Sequence, residues 1–129
     1  MLQTFFRLAV YVPISETNDF ADSDIISANE VQALLRIFRE CDFAGIVGTY
    51  NAVVEISSGT ETFVPSEASF PTYGKINVPS NVISIRLVTY IPISTTREKL
   101  STLIDEIVLA HPWEHPVIEV DEVFLWMPS

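Results

Sequence analysis

The stretch Val82–Pro92, VISIRLVTYIP, alternates Ile83, Ile85 and Leu87 with Ser84 and Arg86, the period of two of a β-strand, and Pro92 ends it. Just beyond, Thr95 and Glu98 stand at capping-box spacing, where a hydroxyl and a carboxylate satisfy free N–H groups of a first helical turn. Leu100, Leu103, Ile104 and Ile107 then share one helical face, and Pro112 stops the helix. Val117–Met127, VIEVDEVFLWM, follows as a strand whose alternation breaks near Asp121 and Glu122, a place for a bulge or a strand break.

The first half of the chain repeats that order. Phe6, Leu8, Val10 and Val12 alternate with Phe5, Arg7, Ala9 and Tyr11, and Pro13 closes this first strand. The segment from about 14 to 26, ISETNDFADSDII, is polar and acidic without helical period and reads as a loop. Ser27 and Glu30 repeat the capping-box spacing, and Val31, Leu34, Leu35 and Phe38 predict a helix to about Cys41. Gly45 and Gly48 lead into a second strand, TYNAVVEIS at Thr49–Ser57, closed by Ser58 and Gly59. A long loop at about 59–79, with room for a short strand near Thr60–Val64, has the length that in compact domains is often functional.

Two β-α-β halves predict a single α+β domain over residues 1–129, a ferredoxin-like βαββαβ sandwich with an antiparallel sheet and two helices on one face. VFLWM near the C-terminus is apolar on both alternating sets, which a two-layer domain hides poorly. Self-association through the open face is the simplest remedy.

Composition narrows the partners. Seventeen acidic against seven basic residues give a net charge of −10, which repels nucleic-acid backbones and anionic membrane surfaces. Hydrophobic residues at 48% against charged ones at 19% mark a packed globule rather than a disordered chain. No apolar run reaches the ~20 residues of a membrane span. The opening MLQTFFRL lacks a secretion signal's pattern and Cys41 is the lone cysteine, so the expected compartment is the cytoplasm, without an internal disulfide.

His111, Glu114 and His115 are the residues whose types suggest metal chemistry, in the spelling HPWEH. The H-x-x-E-H peptidase motif works on a helix, and Pro112 and Pro116 forbid a regular one here. A turn could still converge two imidazoles and a carboxylate on a divalent ion, Zn²⁺ or Cu²⁺. Asp19 and Glu30 have the first-to-twelfth spacing of a calcium loop, but Ala21, Ser23 and Asp24 replace its inner ligands and glycine. The 59–74 loop has too few glycines and no lysine for a phosphate cradle. Cys41 lies beside Glu40 and Asp42, which disfavour a thiolate, and Arg86 in mid-strand calls for an acid across the sheet or a subunit seam.

GIVGTYN at Gly45–Asn51, GTETFVPSEASFPTYG at Gly59–Gly74 and HPWEHP at His111–Pro116 stand in the order and spacing of three family motifs. With FRLAVYVP and VISIRLVTYIP, they make most of the chain resemble the PII/CutA-like domain inserted in YqfO-type Ngg-interacting-factor family proteins, which also occurs as a stand-alone chain. The resemblance implies a ferredoxin-like fold and a trimer built through its sheets. It brings no hydrolase chemistry, because the parents' dinuclear metal site lies in a separate domain that this chain is too short to contain. Glu61, Ala68 and His115 depart from the family pattern, and the acidic 14–26 stretch is extra.

The function expected is a non-enzymatic oligomeric module that binds a small ligand or ion at inter-subunit clefts. Its candidate ligand-binding residues are Tyr50, Glu67, Tyr73, Trp113 and Glu114, with Asn51 beside them; no catalytic residue is assigned. A second protein is a further partner class. The alternatives are a Zn²⁺ or Cu²⁺ binding protein using His111, Glu114 and His115, and a small metal-dependent hydrolase.

Overall fold

The computed structural model describes residues 1–14 and 22–128. Four strands, β1 (Leu2–Pro13), β2 (Glu55–Phe63), β3 (Ser80–Pro92) and β4 (Val117–Trp126), form one sheet in the order β2-β3-β1-β4. Every neighbouring pair is antiparallel. With α2 (Asn29–Glu40) between β1 and β2, and α3 (Arg97–Ala110) between β3 and β4, this is the ferredoxin-like α+β arrangement.

Alternation on the two central strands decides which face meets the helices. Leu8, Val10 and Val12 of β1 and Ile85, Leu87 and Ile91 of β3 are sealed beneath Val31, Leu34, Leu35 and Phe38 of α2 and Leu103 and Ile107 of α3. The helix residues are those spaced three and four apart in the sequence, the stripe a helix lays on a sheet. The opposite sheet face carries Ala9 and Tyr11 of β1, Ser84, Arg86 and Val88 of β3, and no helix among the described residues.

Several boundaries differ from the sequence expectation. The acidic segment is not a loop throughout: residues 15–21 lie outside the described ones, but Asp22–Ser27 form a short helix, α1, whose Ile25 enters the core. Burial of an isoleucine, which periodicity over six residues could not reveal, accounts for it. The N-cap of α2 is Ala28 rather than Ser27, and that of α3 is Thr96 rather than Thr95, its hydroxyl accepting from Lys99 N at 3.2 Å.

The larger correction concerns β2. It runs Glu55–Phe63 instead of 49–57, absorbs the short strand expected near Thr60, and carries Gly59 in its middle, opposite Ser84. Two glycines with positive φ, Gly45 at 67° and Gly48 at 58°, fold the apolar residues ahead of it into a tight loop closed by the reciprocal Val47–Tyr50 backbone bonds. A Cβ on Gly45 would stand 2.5 Å from Val53 N, so this turn requires glycine. β2 is an edge strand paired on one side, which is why Ser, Gly and Thr are tolerated where a central strand would need bulk.

β4 shows no bulge. Its register on β1 is continuous from Leu2↔Trp126 to Tyr11↔Val117. Asp121 breaks the apolar alternation because it faces Arg7, bonding the guanidinium through both carboxylate oxygens at 3.2 and 2.7 Å. At the far end Leu2, Phe124 and Trp126 share the helix-side face beyond the helices, and Trp126 is 76% exposed.

Candidate functional site

The long loop, now 64–79, and the turn 111–116 meet at the end of the sheet where β2 finishes and β4 begins. Two side-chain bonds join them. Glu114 Oε1 accepts from Phe70 N at 2.8 Å, and Thr72 Oγ1 donates to Pro112 O at 2.8 Å. Between the two segments lies an open cleft of about 330 Å³ whose walls include Phe63, Pro71, Tyr73, Trp113, Glu114 and His115. Trp113 meets Phe63 edge to face, with centroids 6.2 Å apart, so the floor is an aromatic pair.

His111 anchors the turn from behind. It is the C-cap of α3, buried, with Nε2 2.6 Å from Tyr11 O and Nδ1 accepting from Trp113 N at 3.0 Å. A carbonyl has no proton to give, so Nε2 carries the hydrogen and the ring is the neutral Nε2–H tautomer. Burial pushes the imidazolium pKa below the usual 6.5, partly offset by the bond to the Tyr11 carbonyl.

That arrangement bears on the metal reading. Both ring nitrogens of His111 are engaged with backbone groups, and a metal ion could take either only by breaking a bond the turn depends on. His115 is exposed, 3.6 Å from Glu114 Oε2, whose other oxygen holds the loop. Among the described residues no group of three His, Cys, Asp or Glu side chains converges as a metal site.

Of the five expected ligand-binding residues, the cleft gathers Tyr73, Trp113 and Glu114. Glu67 stays within its own loop, accepting from Asn77 Nδ2 at 3.5 Å. Tyr50, with Asn51 next to it, projects from the 45–54 loop, which is tied through Gly45 N to Tyr90 O at the opposite end of β3. Sequence reasoning missed Phe63 and Pro71 as walls; the first fell in the short strand expected near Thr60–Val64, the second within the long loop.

Geometry within one chain bears on two other expectations. Arg86 has no acidic partner among the described residues; its Nε instead donates to Tyr11 Oη at 3.1 Å, across β1 and β3. Cys41 is half-buried, and burial first, then Asp42 and Glu106, raises its thiol pKa, which disfavours a nucleophilic thiolate.

No family model and no curated protein matches the chain. Among solved structures it is similar to a Bacillus cereus protein described as related to NIF3, with 22% identity and a TM-score of 0.64 over 95% of this chain. What the two share is the fold. The chain spans about a quarter of that protein, 26% of its length. No helix of the described residues is long and apolar enough to cross a membrane.

Proposed function

We propose that this chain is a non-enzymatic, homotrimeric module of the PII/CutA-like type, binding a small ligand at clefts between subunits in the cytoplasm. The observation that carries it is the Glu114–Phe70 bond, which joins two of the three segments resembling that domain's motifs into one aromatic-floored cleft. The fold-level likeness to a NIF3-related protein supports the same reading.

In such a trimer Tyr50 has a role. Tyr50 lies at the opposite end of the sheet from the cleft of its own chain, so it reaches a cleft only from a neighbouring subunit. The exposed Leu2, Phe124 and Trp126 supply apolar surface for the contact. The ligand suited to the cleft is flat and largely apolar, stacking on Trp113 and Tyr73, with Glu114 already engaged by the loop.

Light scattering on the purified chain tests the assembly: the reading expects a trimer, and a monomer at micromolar concentration removes it. Titration with Zn²⁺ and Cu²⁺ tests the metal alternative, which requires tight binding lost in a His111→Ala, His115→Ala double variant. The hydrolase alternative has no assembled metal ligands to support it among the described residues.

A further inference from the structure

The open face of the sheet carries a cation, Arg86, with no ion-pair partner among the described residues. Tyr11, Arg86 and Ser57 lie side by side on β1, β3 and β2, and the next row is Pro13, Ser84 and Gly59. These rows border a concavity of about 180 Å³ lined by Tyr11, Ser57, Gly59, Glu61, Ser84 and Arg86.

Three features of this concavity point to a ligand. Arg86 is held in place, Nε on Tyr11 Oη and the guanidinium carbon 5.8 Å from the centre of the Tyr11 ring, but has no carboxylate partner among the described residues. Ser84 is only 4% exposed, yet its hydroxyl makes no hydrogen bond among the described residues, a cost that native folds rarely accept without a use. Gly59, opposite Ser84, leaves open space where any other residue would place a Cβ.

We infer that this concavity is a binding site for a single carboxylate group. With Nε committed to Tyr11, the two terminal nitrogens of Arg86 remain as a planar fork, the shape that a carboxylate meets with two parallel bonds. The hydroxyls of Ser84 and Ser57 supply further donors. One guanidinium, with Glu61 at the rim and a chain charge of −10, favours a monoanion over a phosphate dianion. The carboxylate comes from a small molecule or from an acidic side chain of a second copy. The site is separate from the aromatic cleft, and its occupation by a small molecule does not rest on the trimer.

The test follows the Arg86 Nε–Hε resonance of ¹⁵N-labelled wild-type protein at pH 7, with sodium acetate titrated against sodium chloride and sodium phosphate at matched ionic strength. A free-carboxylate site gives a saturable shift with acetate and none with chloride. Gly59→Val fills the open space and abolishes the shift. Ser84→Ala weakens acetate roughly ten- to hundredfold, the worth of one hydrogen bond to a charged group, while raising the urea midpoint of the unliganded chain by removing the orphan hydroxyl. If the carboxylate belongs to a second copy, acetate leaves the resonance unmoved and Arg86→Lys shifts the sedimentation of the assembled protein toward monomer. No acetate response together with unchanged sedimentation of Arg86→Lys overturns the proposal, as does a phosphate response stronger than that to acetate. A monomer that binds acetate removes the trimer and leaves this site standing.

Discussion

His111 makes the stability of this fold depend on pH in a window where the carboxylates contribute little. Its imidazole bridges Tyr11 O and Trp113 N while buried, and burial lowers its pKa from the usual 6.5. The folded chain therefore prefers the neutral ring. Above pH 6.5 both states hold it neutral and its full stabilising contribution is present. As pH falls below that value the unfolded chain takes up a proton that the folded chain resists, and stability is lost until the folded ring titrates. A single proton limits the slope to about 1.4 kcal/mol per pH unit.

The substitution His111→Ala removes both bonds and leaves the Tyr11 carbonyl and the Trp113 N–H short of partners, a cost of about 2–4 kcal/mol. Against a typical domain stability of about 5–15 kcal/mol this is a large fraction. Urea unfolding of both proteins at a series of pH values from 7.5 to 5 measures the two effects. The wild type should lose stability on the acid side of 6.5, and the variant, weaker throughout, should show a flatter profile there. Parallel profiles would refute a buried neutral His111.

Other expected outcomes follow from the fold. Phe38→Ala empties the centre of the core and should cost about 3–5 kcal/mol in urea unfolding. Thr96→Ala should cost about 1 kcal/mol while Thr95→Ala stays within about 0.5, because Thr96 alone caps α3. Gly45→Ala combines positive φ with a 2.5 Å clash against Val53 N and should destabilise by more than the ~1 kcal/mol of an ordinary left-handed alanine; thermal melting reports it. Trp126→Lys should leave the stability of an isolated subunit nearly unchanged but lower the mass of the assembly, read by light scattering.

The α+β architecture was legible because burial imposes its period on the sequence. Strands β1 and β3 and both long helices carry apolar residues at the spacing their faces require, and these same residues form the core, against which β4 packs only the partly buried Ile118. β2 was misplaced because an edge strand needs no such pattern. Its Ser57, Ser58 and Gly59 look like a turn until β3 pairs with them, whereas the apolar run before it is consumed by a loop built on Gly45 and Gly48. Asp121 looked like a defect in β4, since its partner Arg7 stands 114 residues away.

The candidate site was legible in part. Tyr73, Trp113 and Glu114 stood out as uncommon residues in two loops, and the fold brings those loops together. What spelling could not disclose is hydrogen-bond commitment. His111 has the composition of a ligand and the bonding of a structural pin, and Ser84, unremarkable inside a strand, is the orphan hydroxyl of the open face.

Sedimentation equilibrium of the purified chain at micromolar concentration tests the central claim most directly. A homotrimeric module predicts a mass about three times that of the 14.5 kDa chain. A species of one chain mass across the concentration range would contradict it.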